Sequence, residues 1–164
     1  MIRPRMPRSP EEEFVAFSAA LTGFDAAELW GTGMVPTYYQ LLPTIIGDDL
    51  FGGLMTRWRY TDERGAGDPP LLEQLIREQV FEDPDYGPVV QSLTALWYTG
   101  QWNQLPADWR NRNGAYANDT TYIISPAAYV NGLVWKALGT HAPAAQQPGY
   151  GSWALPPISG ARHD

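Results

Sequence analysis

Cysteine is absent from the chain. Disulfides, Cys-ligated zinc, iron–sulfur clusters and c-type haem attachment are excluded with it. Histidine is nearly absent too, with only His141 beside a proline-rich stretch and His163 in the penultimate position. Neither a His-based metal cluster nor a placed general base follows from these two. Apolar runs are short: nothing approaches the roughly 18 residues of a spanning helix, and the first ten residues lack the apolar stretch of a signal peptide. Basic residues number 11 against 18 acidic ones, a formal charge of −7, which argues against a nucleic-acid partner because phosphate binding runs on Lys and Arg. What is abundant is aromatic surface. Seven Trp and an aromatic fraction of 13% exceed what the core of a 164-residue single domain usually needs, while 44% apolar residues exclude general disorder.

The chain is punctuated as helices are. Ser9-Pro10-Glu11-Glu12 places an N-cap hydroxyl, a proline at the first helical position and a carboxylate three residues after the cap, and Phe14, Phe17, Ser18 and Leu21 then share a face until Gly23. Asp25 and Glu28 repeat the capping box for a second helix, interrupted by Gly31 and Gly33. Residues 37–46 resume helically with Pro43 expected to bend or end them, and residues 48–58 follow. Residues 62–70, rich in Gly, Pro and charge, read as a linker. Residues 70–81 then carry an inward stripe of Leu72, Leu75, Ile76 and Gln79. Pro88 starts a helix whose Val89, Leu93, Leu96 and Trp97 fall in one arc, with Tyr98 directed elsewhere. Trp97, Trp58 and Trp30 read as core, and Trp102 admits the same reading, since a lone aromatic is more often packing than recognition. Residues 101–122 have four asparagines and no period, a length that is usually functional and that admits a hairpin. A last helix over residues 125–139 has Val130, Leu133, Val134 and Ala137 inward and Trp135 outward.

The predicted fold class is therefore all-α, a compact irregular helical bundle with long loops. Residues 1–8 form a disordered or trimmed segment, 9–139 the helical domain and 140–164 an extended tail. That tail holds Pro143, Pro148, Pro156 and Pro157, with Gly149 and Gly151 around Tyr150 and Trp153, so it carries large anchors on a backbone unable to keep a helix. Such a segment needs a surface to lie on, its own or a partner's.

Chemistry is thinly represented. Asp48-Asp49 and the cluster of Glu82, Asp83 and Asp85 lack the spaced oxygen ligands of a calcium loop and read as helix caps and solvated turns. Gly31-Thr32-Gly33, Gly65-Ala66-Gly67 and Gly149-Tyr150-Gly151 each resemble half of a phosphate loop, yet none follows a convincing strand into a capped helix. No cofactor site is expected in this chain.

Long aromatic motifs supply what chemistry does not. Residues 96–102 (Leu-Trp-Tyr-Thr-Gly-Gln-Trp), 128–137 (Ala-Tyr-Val-Asn-Gly-Leu-Val-Trp-Lys-Ala), His141 and 147–153 (Gln-Pro-Gly-Tyr-Gly-Ser-Trp) with Pro156-Pro157 occur in fixed order. Together with residues 14–24, they resemble the small (gamma) subunit of membrane-bound FAD-dependent sorbitol, fructose and glucose dehydrogenases over roughly the whole chain. The resemblance implies a subunit without catalysis that binds a large flavoprotein of the glucose-methanol-choline type, holder of the FAD, and assists its maturation and export. A multihaem cytochrome c often completes such complexes. Family members usually begin with a twin-arginine signal; Arg3-Pro4-Arg5 departs from that pattern, so the expectation is either a trimmed signal and a periplasmic complex or a cytoplasmic one.

On this reading Tyr98, Trp102, Tyr129, Trp135, His141, Tyr150 and Trp153 are the partner-binding residues. Two alternatives stand beside it: a free-standing carbohydrate-binding helical module that stacks sugars on Trp and Tyr, and a small hydrolase or isomerase using the carboxylates near Asp83.

Overall fold

Helix α1 (Pro10–Thr22) begins where the sequence places it. The Ser9 hydroxyl accepts the Glu12 N–H at 3.2 Å and the Glu12 carboxylate accepts the Ser9 N–H at 2.7 Å, so two orphan donors of the first turn satisfy each other's residues. Gly23 closes the helix at φ 79°, a left-handed conformation that costs glycine nothing. Asp25 and Glu28 build the same box at the start of α2 (Ala26–Gly31). Then follow α3 (Val35–Ile46), α4 (Asp48–Arg64), α5 (Pro69–Ile76), α6 (Tyr86–Thr99), α7 (Ala107–Asn113), α8 (Pro126–Val130) and α9 (Leu133–Ala137). The computed structural model describes residues 5–141, and within them the fold is all-α apart from one short antiparallel ladder, β1 (Gln101–Trp102) against β2 (Tyr122–Ile123).

α1, α3, α4 and α6 enclose the core. Trp97 meets Tyr38 edge-on at 4.8 Å and Phe14 at 6.3 Å, and Phe17 packs on Trp58 at 5.3 Å, so aromatic rings fill the centre in the arrangements their quadrupoles favour. Burial pushes the Tyr38 hydroxyl well above its ordinary pKa. Val89, Leu93, Leu96 and Trp97 are all buried, as their arc requires.

α3 runs to Ile46, as read, with Pro43 inside it, and closes with the Gly47 N–H on the Pro43 carbonyl at 2.9 Å. Five features differ from the sequence reading. Residues 62–70 are not a linker: α4 extends to Arg64 and α5 starts at Pro69, leaving a turn at residues 65–68. Asp62, placed at the start of that linker, is buried and takes Arg5 at 2.6 Å and Arg8 at 2.8 Å. Those same bonds hold residues 5–8, part of the stretch expected to be disordered or trimmed, against α4. After Ile76 the helix widens into a π turn, Arg77–Phe81, which buries Val80 and leaves Phe81 outward. The last helix is two, α8 and α9, broken at Asn131-Gly132.

Candidate functional site

Parts of the three described stretches that carry the resemblance meet at one end of the molecule, Thr22 and Phe24 of the first, Tyr98 and Gly100 of the second and Ala128 and Gly132 of the third, while Phe14, Phe17, Trp97 and Trp102 are buried in internal packing. The Tyr98 hydroxyl donates to the Thr22 carbonyl at 2.7 Å, and its ring meets Phe24 edge-on at 5.9 Å. Gly100 and Gly132 let the end of α6 touch the backbone of α8 and α9. A Cβ on Gly100, which sits at φ 74°, would lie 2.4 Å from the Ala128 carbonyl carbon, and one on Gly132 would lie 2.6 Å from the Tyr98 carbonyl oxygen. No other residue type fits either position without moving backbone.

That contact breaks the last helix and turns its side chains into a cleft of about 520 Å³ facing α2, lined by Glu28, Asn131, Trp135, Lys136 and His141 among others. The Trp135 indole N–H donates to the Tyr129 carbonyl at 2.9 Å and the two rings stand edge to face at 5.6 Å, so the pair is fixed while staying half-exposed. The Lys136 ammonium lies 2.8 Å from Glu28 and over the Phe24 ring at 6.0 Å. The bond from Lys136 holds the Glu28 carboxyl below its ordinary pKa, the Asp25 N–H adds to that, and partial desolvation opposes both. His141 is exposed at the lip of the cleft. Trp135 thus joins Tyr129, which it packs against, to the cleft that it shares with His141, and Tyr98 is a packing residue.

Trp102 is not at the surface. The β1–β2 ladder turns its ring inward, it is fully buried, and its indole N–H donates to Asp119 Oδ1 at 3.0 Å. Its assignment to a partner surface is corrected on that ground. Asp119, which sequence reasoning passed over, organises residues 101–122: the same Oδ1 accepts the Leu105 N–H at 2.9 Å and Oδ2 faces Arg110 Nε at 3.5 Å. Trp109 is buried in the same lobe with its indole N–H on the Asp85 carbonyl at 2.8 Å. Trp30 moves the other way: read as core, it is 41% exposed on α2. Tyr150 and Trp153 lie outside the described residues.

Nothing among protein-family models, curated proteins or solved structures matches the chain.

The remaining chemistry is structural in form. Asp83 Oδ1 accepts the N–H groups of Asp85 and Tyr86 at 2.8 and 3.0 Å, and Oδ2 lies 3.7 Å from Arg57, so its carboxylate closes a turn and starts α6. Gly31 and Gly33 flank a helix-to-helix turn, as do Gly65 and Gly67, and among the described residues no Gly-rich turn follows a strand. A dinucleotide phosphate has no cradle of the usual strand, loop and helix kind there. No helix among them is long and apolar enough to cross a membrane.

Proposed function

We propose that this chain is a noncatalytic small subunit that binds and stabilises a large FAD-dependent dehydrogenase of the glucose-methanol-choline type, one that oxidises a sugar, sugar alcohol or glycoside. The observation that carries the reading is the convergence of parts of the family-like stretches at a single end. Tyr129 and Trp135, from the last of these stretches, stay half-exposed there, whereas Phe14, Phe17, Trp97 and Trp102 are spent on internal packing. The Tyr129–Trp135 pair suits the role because its rings are already fixed by a hydrogen bond and an edge contact, which lowers the ordering cost of association. Tyr and Trp are also the favoured anchors of interfaces. His141, the last described residue, lines the same cleft, and in this reading Tyr150 and Trp153 further along the sequence are additional anchors for the flavoprotein.

In this reading the FAD belongs to the partner, and the described part of this chain contributes contact surface to it. A subunit that binds only the folded flavoprotein stabilises it by mass action, which accounts for a maturation role. The same complex would be exported with a cytochrome c subunit in the resembling family. The test is expression of the flavoprotein with and without this chain. Soluble yield and flavin content per flavoprotein are expected to fall when the chain is omitted; equal yield and equal flavin content would refute the role.

A further inference from the structure

Residues 5–8 (Arg-Met-Pro-Arg) lie against α4 outside any helix or strand, and no backbone hydrogen bond joins them to another described residue. Side chains hold them instead. Arg5 Nη1 and Arg8 Nη1 both reach Asp62 Oδ2, at 2.6 and 2.8 Å, and Arg8 also faces Glu13 of α1 at 3.4 Å. Two guanidinium groups that converge on one oxygen repel each other, so the carboxylate is what makes the arrangement favourable. The Asp62 side chain is 12% exposed, and a carboxylate so buried is costly without its cations. The attachment is otherwise narrow. Met6, between the two arginines, is 85% exposed, and Arg8 stands between concavities of about 390 and 270 Å³, so little packing keeps the segment down once the ion pairs open.

The Arg5–Met6 and Arg8–Ser9 peptide bonds both follow an arginine. A protease that cuts after arginine takes the guanidinium onto a carboxylate in its specificity pocket. Asp62 already holds those same groups. We infer that residues 5–8 are a latched strap with Asp62 as its catch, a guarded cleavage site for a protease of this class: the closed latch withholds the two bonds and the open latch presents them. Hydrolysis adds water across the Arg8–Ser9 bond, leaving a carboxylate on Arg8 and an amine on Ser9. It also separates Asp62 from both cations, so a cut strap does not close again.

Limited digestion of the full chain with trypsin, followed by mass spectrometry of the N-terminal products, tests it. Cleavage at Arg8–Ser9 follows the open population, and Asp62→Asn should speed it about tenfold with helical circular dichroism unchanged. Arg5→Gln removes one exposed cation and keeps the Arg8–Ser9 bond, so it should give a smaller increase and decides the matter if Asp62→Asn does not fold. Glu63→Gln, a charge change lining the same concavity, should leave the rate as it was. One rate in all four chains, or a rate in Glu63→Gln as high as in Asp62→Asn, would overturn the latch. Melting temperature supplies an independent sign. Asp62→Asn should lower it in the unmodified chain and raise it in the Arg5→Gln/Arg8→Gln chain, where the carboxylate is buried without those cations. A decrease in both backgrounds would contradict the assignment.

Discussion

Glu28 is the residue whose behaviour reports most simply on the cleft. Lys136 and the Asp25 N–H both favour its charged form, so its folded pKa lies below the unfolded one. Whatever stability the pair adds is present above the ordinary Glu range and is lost as pH falls through the depressed value. Titration of the Glu28 side chain by NMR should show the lowered value, and Lys136→Ala should return it toward normal; an ordinary value in the unmodified chain would place Lys136 elsewhere. Asp119 offers a stronger effect because it is buried. Asp119→Ala strands the Trp102 indole, the Leu105 N–H and Arg110, and should cost about 3 kcal/mol in a urea melt. Asp119→Asn keeps an acceptor and should cost less; a loss below about 1 kcal/mol for Asp119→Ala would show that the lobe does not depend on it. Glu28 is legible as half of a capping box, but the burial of Asp119 and the exposure of Trp30 are not. Asp119 sits in a polar stretch where a buried carboxylate and a solvated one look alike, and Trp30 sits on a helix too short for periodicity to say which way it faces.

At the scale of elements, local signals were readable and tertiary ones were not. Both capping boxes, the Gly23 stop and the α6 arc follow from spacing alone, because the groups that satisfy each other lie within one or two turns. The π turn has no such signal. It meets Gly87 at the start of α6, where an added Cβ would come within 2.4 Å of the Phe81 carbonyl oxygen, so the turn is fitted backbone to backbone against the next helix, a packing contact that no helical period encodes. The break at Asn131-Gly132 likewise depends on Tyr98, thirty-odd positions away. Asp62 was misread for the same reason, its partners Arg5 and Arg8 being remote in sequence. Two glycines separate the cases experimentally. Gly132→Ala must push apart α6 and α9 and should cost about 2 kcal/mol or more, while Gly52→Ala, inside α4 with open space around it, should gain about 0.5 to 1 kcal/mol. Equal effects in thermal or urea melts would show that backbone contact at the cleft is not tight.

For the whole molecule, the proposed function gives the helical domain and the tail separate tasks that truncation can tell apart. Deleting residues 140–164 should leave the helical circular dichroism nearly intact, because the described helices end at Ala137. Association with the flavoprotein should weaken, and Trp153→Ala alone should cost roughly 2 kcal/mol or more of binding if that ring is a central anchor. Loss of helicity on truncation would make the tail a packing element of its own domain. The carbohydrate-module alternative separates from the subunit reading by calorimetry, where titration of the isolated chain with sugars should release no binding heat.

The most direct measurement is affinity purification of the tagged chain from its own cells, followed by size exclusion, mass spectrometry and flavin absorbance. The expected result is a yellow complex containing this chain and a large flavoprotein in equal numbers, with the chain colourless once separated. Recovery of the chain without a flavoprotein, or flavin that stays with the chain alone, would contradict the proposed function.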